Sequence, residues 1–446
     1  MGSAAASRRR PGRGSGSGSG SGSGEPTSVG ASRRRTSSRR VAPPLEHRIL
    51  MTAALCLLAF GAVMVYSASS PLGALSAHGG SGAGEFIRYL VFGGLGLIAM
   101  QVLERRGLAL LTPQVCRLML LGSFALLVLV LVPGFGVVVN GARRWFALGP
   151  IQFQPSELMK LSLVLYVARY LADHPKRMRS FRQAVAPIVI AAGPAILLIV
   201  VEPDLGTALV VAFTCAALMI AAGMPMRYLG RLAAVAAVGV LLMVLAQPYQ
   251  QARLTSFLHP WASATAAGAG YQAVQGQIAL GSGGLLGVGL GKSVQKIFYL
   301  PEAQTDFILA VIGEELGVLG ICGVVFLYGM IAYAGLRTAR RAVGRYPKLL
   351  ASGLTSLIVC QGVLNIFVVL GLAPLTGVPL PFISYAPTNL CVMLASVGVL
   401  LNISRPGARR LKVVEGQPAA STADRERRRQ ARRQRRADAG GRRSAG

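Results

Sequence analysis

The stretch ILMTAALCLLAFGAVMVYSAS, Ile49 to Ser69, runs for 21 residues without a charged side chain. At ~1.5 Å of rise per residue a helix of that length crosses a ~30 Å hydrocarbon layer. Working outward from it, similar apolar runs fall at about 86–103, 116–135, 157–172, 184–201, 205–223, 229–246, 307–335, 349–371 and 382–403. Ten such runs predict an all-α polytopic membrane protein of about ten transmembrane helices. Residues 48–404 form the membrane domain, and the longest connection, about 247–306, lies between the seventh and eighth helices.

Composition at first points two ways. The 446 residues include 46 Lys+Arg against 16 Asp+Glu, a formal net charge of +30, yet only 14% of residues are charged and 53% are hydrophobic. Position resolves the conflict. Residues 1–48 hold ten Lys/Arg and two acids, and residues 404–446 hold fourteen and four, so most of the excess sits in the tails. A basic nucleic-acid-binding domain is therefore excluded as the reading of the core. The 1–47 tail, with its Gly-Ser tract from Gly14 to Gly24, and the 405–446 tail read as basic segments, the first disordered and the second either a basic helix or disordered. They either touch acidic lipid headgroups or merely fix topology. The N-terminal tail is too long and polar to resemble a cleaved signal peptide. The six cysteines lie within the apolar runs with no metal-like spacing, which reads as packing.

Even parity puts both termini on one side. Loops on that side carry fourteen Lys/Arg, from Arg105 and Arg106 to Lys348, while the opposite loops carry five: Arg143, Arg144, Arg253, Lys292 and Lys296. The positive-inside rule then makes the termini cytoplasmic and the 247–306 loop extracytoplasmic. Against that bias the few charges kept outside are informative. Arg143 and Arg144 precede Glu157 and Lys160, which share a helix face at i, i+3; Glu202, Asp204, Glu302 and Asp306 map to outer loops or helix ends; Glu314 and Glu315 enter the eighth span. Arg143, Arg144, Lys292 and Lys296 fit an anionic, phosphate-bearing ligand. Glu157 with Lys160 fits a local buried ion pair equally well. Asp306 precedes an apolar run, where a carboxylate also serves as a helix cap. The Gly-rich stretch from Gly276 to Ser293 lacks the Rossmann or Walker frame, so no nucleotide is expected; it reads as a closely packed loop or a phosphate-cradling nest.

Four separated motifs carry a family resemblance: NGARRWF through QPSELMKL (Asn140 to Leu161), EPDLGTA (Glu202 to Ala208), YLPEAQTDFILAVIGEELG (Tyr299 to Gly317) and PLTGVPLPFISY (Pro374 to Tyr385). Together they resemble the SEDS family of shape, elongation, division and sporulation proteins, closest to its FtsW division branch with the RodA branch second. The resemblance covers about Leu45 to Arg405. It implies a peptidoglycan glycan-strand polymerase, an inverting glycosyltransferase that uses lipid II on the outer face of the bacterial cytoplasmic membrane and releases polyprenyl diphosphate. It also implies a class B penicillin-binding transpeptidase and other division-machinery proteins as partners.

Carried over by motif, Asp306 is the catalytic acid, either as general base or as ligand to a divalent cation, Mg²⁺ or Mn²⁺. Arg144, Glu157, Lys160, Lys292 and Lys296 are then expected at the diphosphate, with Arg143, Glu202, Asp204, Glu302, Gln304, Glu314, Glu315 and Ser384 in support. Two departures stand out. Gln304 occupies the position where the family usually has His, and Ala386-Pro387 replace two glycines of a turn, removing an N–H donor and the freedom for positive φ. Alternative readings are a lipid-linked-precursor flippase or transporter, an elongation or sporulation paralogue, and a catalytically weak scaffold. Charges gathered at one face without a relay through the midplane argue against transport.

Overall fold

The computed structural model describes residues 43–405 except 76–82, 140–141, 150, 176–180, 263–264, 266–267, 269 and 298, together with residue 430. Most of both tails therefore lies outside the described residues, as do loop cations Lys176, Arg177 and Arg179. Each expected span coincides with a helix. These are α1 (Leu45–Leu75), α2 (Ala83–Leu110), α3 (Pro113–Leu131), α4 (Pro155–Asp173), α5 (Phe181–Val201), α6 (Leu205–Ala221) and α7 (Met226–Ala246), followed after the outer loop by α10 (Ile308–Arg341), α11 (Arg345–Val369) and α12 (Pro387–Ser404). The outer loop adds two helices of its own, α8 (Pro248–Leu258) and α9 (Tyr271–Gly283).

Among the described residues seven helices, α1, α2, α3, α7, α10, α11 and α12, are long and apolar enough to cross a membrane, and α5 and α6 contain shorter apolar stretches. In α4 the apolar run carries Glu157, Lys160, Arg169 and Asp173. The chain is a multi-pass membrane protein.

Local chemistry accounts for the boundaries. Thr112 caps α3 by accepting from Val115 N, and Pro113, Pro155 and Pro387 each stand at a first helical position, where the missing N–H leaves no bond unmade. Helix α1 begins at Leu45, so Glu46 and His47, expected in the tail, are buried in the bundle instead. The start of α1 meets the end of α10 through Glu46, whose Oε1 lies 2.7 Å from Arg337 Nε and 2.5 Å from Arg341. The ends of α2 and α12 meet there through Glu104 and Arg405. The start of α1 and the end of α12 thus lie at one face of the bundle.

The all-α reading needs one amendment. Residues Val137–Val139, Ala142–Leu148 and Ile151–Phe153 form a three-stranded antiparallel meander, β1 to β3, between α3 and α4. Valine, isoleucine and aromatic residues favour strands there, in segments too short to register beside the long apolar helices. Of the seven long apolar helices, α11 and α12 are the most enclosed, whereas α7 stands at the periphery with most of its surface open.

Candidate active site

The residues around Asp306 are held from three directions. Gly276 of α9 lies against the Phe307 ring, where a Cβ would come within 2.6 Å of it, and Gly283 packs on the backbone of Gly313. This anchors the outer loop to the entrance of α10. From α11, Asn365 Nδ2 donates to the carbonyls of both Asp306 and Val378, each at 2.8 Å, tying the Asp306 segment to the 372–386 loop. In that loop Gly377 adopts φ +68, and a Cβ there would lie 3.3 Å from Asp306 Oδ2, so the residue that faces the carboxylate is one with no side chain.

Asp306 does not cap α10: the N-cap position is Phe307 and no side chain bonds there. Its half-buried carboxyl has no hydrogen-bond or ion-pair partner among the described residues. Desolvation, reinforced by Glu302 and Asp204 and opposed by Arg144 and Arg253, pushes its pKa up to about 7. A carboxyl in that range is both base and acid near neutrality.

Arg144, on β2, donates through Nε to Glu202 O at 2.7 Å and through its guanidinium to Pro203 O. It clamps the EPD turn by its carbonyls while its charge acts on Asp306 and Glu202. Arg143, paired in register with Val138, precedes it beside an irregularity in the β1–β2 ladder, where Arg144 is the extra residue. Asp204 caps α6, Oδ1 accepting from Thr207 N at 3.0 Å, and Oδ2 accepts from Gln154 Nε2 at 3.2 Å. Glu202 is wholly buried with both carboxyl oxygens unpartnered, and burial, with Asp204 beside it, lifts its pKa to about 8. Glu302 is exposed and accepts from Thr305 Oγ1 at 3.0 Å. Gln304 reaches Glu85 Oε1 at 3.4 Å, and its carbonyl accepts from Tyr385 N at 2.9 Å. Ser384 Oγ closes a local turn by accepting from Leu380 N.

Other expected ligands are drawn into the bundle. Lys160 and Glu157 are 1% exposed; Lys160 Nζ donates to Glu157 Oε1 at 2.8 Å and Gln361 Oε1 at 2.6 Å, and Asn389 donates to Glu157 Oε2 at 2.7 Å. The local ion pair that the i, i+3 spacing also allowed is the arrangement observed. Lys296 is likewise buried, its ammonium 2.8 Å from Glu315 Oε1 and 3.0 Å from Ser67 Oγ. Glu314 accepts from Ser293 Oγ and Val294 N. Glu157, Lys160 and Lys296 are thus not presented as open diphosphate ligands, because charges inside a helical bundle must be partnered there. Of the expected outer-loop lysines, Lys292 is the exposed one.

The Gly-rich loop explains the second network. Helix α10 breaks at Gly317 (φ +66), and backbone N–H groups of Val288 and Gly289 bond the carbonyls of Glu314 and Glu315 while Val318 N returns to Gly284 O. A Cβ on Gly287 would fall 2.1 Å from Glu315 O. The glycines serve close backbone packing, the first of the two readings of that stretch.

Sequence reasoning passed over Arg253 and Asn365 as site residues. Arg253, on α8, donates to Leu375 O at 3.2 Å and lines a cleft of about 270 Å³ with Tyr271, Gln272 and Pro301. Its signal was membership of the sparse outer cations; that of Asn365 was an amide in mid-span. Among the described residues no three His, Cys, Asp or Glu side chains converge as a cation cage. Asp306 would offer such an ion one carboxylate.

Residues 47–408 match the family model FTSW_RODA_SPOVE, described as cell cycle protein. The chain is 40% identical over 375 residues to the stage V sporulation protein E of Bacillus subtilis (strain 168), covering 83% of this chain and 99% of that one. It is 41% identical over 358 residues to the probable peptidoglycan glycosyltransferase FtsW of Coxiella burnetii (strain RSA 493 / Nine Mile phase I), covering 78% and 94%. Among solved structures, Thermus thermophilus rod shape determining protein RodA superposes with a TM-score of 0.57 at 30% identity, over 82% of this chain and 97% of that one. A chain from a study of structural coordination of polymerization and crosslinking by a peptidoglycan synthase complex superposes with a TM-score of 0.64, also at 30%, over 82% and 98%. With motifs, helical order and relatives in agreement over nearly the whole membrane domain, the chain belongs to the FtsW/RodA/SpoVE family of cell cycle proteins.

Proposed function

We propose that this protein is a peptidoglycan glycan-strand polymerase that transfers lipid II-derived disaccharide units on the outer face of the bacterial cytoplasmic membrane during cell division. The observation that carries the reading is Asp306: a carboxyl on the outer loop side, without a partner of its own, with its pKa lifted to about 7. Relatives named as peptidoglycan glycosyltransferases support the reaction class. The family member solved as part of a peptidoglycan synthase complex supports a class B penicillin-binding transpeptidase as partner.

In the reaction, Asp306 takes the proton of an acceptor sugar hydroxyl. The hydroxyl oxygen forms a bond to the donor's anomeric carbon as the bond from that carbon to the diphosphate oxygen breaks. Attack opposite the leaving group inverts the anomeric centre, and polyprenyl diphosphate departs. Direct displacement needs only one base, which Asp306 supplies, whereas a retaining route would need a second carboxylate as nucleophile. Exposed Lys292 is placed to meet the diphosphate, while Arg144 holds the EPD turn and adds field. A divalent cation, if used, would find one protein ligand in Asp306 and its others on substrate and water.

Asp306→Asn keeps size and polarity and removes the base. Polymerisation of lipid II by purified protein is expected to fall roughly 10²- to 10⁴-fold. An unchanged rate would overturn the assignment. With the wild type, activity should rise with pH through about 7 as Asp306 ionises. The 40% identical sporulation relative favours one second reading, the same chemistry used in sporulation; loss of division or of spore formation on depletion separates the two.

A further inference from the structure

Residues 374–385, between α11 and α12, form neither helix nor strand, yet Val378, Leu380, Phe382 and Ile383 among them are buried in the bundle. Backbone carbonyls at that depth need partners, and Pro374, Pro379 and Pro381 remove N–H groups that a regular ladder would use. Side chains from the surrounding helices supply them. Arg253 of α8 donates to Leu375 O, and Asn365 and Gln361 of α11 donate to Val378 O at 2.8 Å and Pro379 O at 2.9 Å. Tyr328 of α10 donates to Pro381 O and Tyr89 of α2 to Phe382 O. The loop also lies against α6, where a Cβ on Gly206 would come within 2.6 Å of Thr376 O. Held from α2, α6, α8, α10 and α11, it is a fixed floor beside Asp306.

Asn365 joins that floor to the carboxylate's own backbone. Its Nδ2 donates to Asp306 O as well as to Val378 O, each at 2.8 Å, and it is 1% exposed. An amide nitrogen carries two N–H groups, so both are spent on this bridge. Fixing the Asp306 carbonyl fixes the peptide plane next to its Cα and so the direction of its side chain. From the loop, Gly377 leaves the carboxyl room, since a Cβ there would lie 3.3 Å from Oδ2. We propose that Asn365 is a positioning residue for the polymerase reaction: by bridging Asp306 to the loop it holds the carboxyl where it takes the acceptor's proton. This rests on the assignment of Asp306 as the base.

The test is lipid II polymerisation by purified full-length Asn365→Leu and Asn365→Asp in one detergent, with initial rates at varied lipid II and pH and thermal unfolding in parallel. Leucine keeps the volume and removes both donors; aspartic acid keeps the shape and at most one donor. The value of kcat should fall about 10²-fold in Asn365→Leu and about tenfold in Asn365→Asp, with KM within about threefold, because a misplaced base costs reaction and not binding. The rise of rate with pH should move to lower pH in Asn365→Leu, since a carboxyl released from its seat gains water. A residue that only supports the fold would scale the rate alike at every pH. An unmoved pH midpoint, or a raised KM with kcat unchanged, would overturn the proposal. So would unfolding of both variants below the assay temperature, which would make Asn365 a packing residue. Asp306→Asn keeps the two questions apart. If that variant polymerises at the wild-type rate, the assignment of the base fails; if it is inactive while the Asn365 variants match wild type in kcat and midpoint, only the positioning role fails.

Discussion

Lys160, deep on α4, gives its ammonium to Glu157 and Gln361 while Asn389 takes the other oxygen of Glu157. Among the described residues nothing bonds the carboxyl of Asp306, at the mouth of α10, or the two carboxyl oxygens of Glu202 nearby. The same side-chain types thus serve two ends. Where a charge is closed off by its neighbours, as at Lys160 and Lys296, it holds helices together; the half-buried carboxyl of Asp306, unpaired among the described residues, is the one on which the proposed chemistry rests. Partnering, more than burial, separates structure from chemistry in this fold.

The sharpest way to break that comparison is to unpair Lys160. Lys160→Met leaves Glu157 buried with Asn389 alone and should destabilise the protein by about 3–5 kcal/mol. The double change Glu157→Gln with Lys160→Met removes both charges and should recover most of that loss. Thermal unfolding in a fixed detergent measures both. If Lys160→Met instead keeps its stability and loses polymerase activity, Lys160 belongs with Asp306 on the chemical side.

The helices were legible because apolar runs of membrane length leave few alternatives, and Asp306 was legible through its motif. The partnering was not. Lys160 meets Gln361 across 201 positions and Ser67 meets Glu315 across 248, distances over which a linear pattern carries no signal. Lys296 reads from the sequence as an outer-loop cation, and only the break of α10 at Gly317, with the Gly-rich loop laid into it, brings Glu315 within 2.8 Å. The meander escaped because its strands are three to seven residues long.

A smaller effect probes the open side. Glu202, with a pKa raised to about 8 against an ordinary value of 4.5, keeps its proton in the folded state over a range where the unfolded chain has lost it. Its contribution to stability should therefore decline as pH rises from about 4.5 to about 8 and then level off. Glu202→Gln, close in shape to the neutral acid, should flatten that part of the stability profile while leaving stability at pH 5 almost unchanged. An identical profile in the variant would mean that Glu202 titrates alike in the folded and unfolded chain and is not held protonated by burial.

The smallest effect is expected where the sequence raised the most concern. Ala386-Pro387 replaces a glycine pair, which suggested a lost donor and a lost positive φ. In the structure Ala386 has φ −146, and Pro387 occupies the first position of α12. Proline's fixed φ suits that position, and the N–H it lacks would have had no acceptor within the helix. No group is orphaned by the replacement, so neither side of the comparison is disturbed. Positive φ in this loop falls at Gly377 and Phe382 instead. Restoring glycine at both positions should leave polymerisation within about twofold and lower stability by ~0.5–1 kcal/mol per residue, because glycine frees the unfolded chain more than the folded one. Rates on lipid II and thermal unfolding of the double variant decide it. A large gain in rate on restoring the glycines would show that Ala386-Pro387 holds the enzyme back, and that the turn before α12 moves during the reaction.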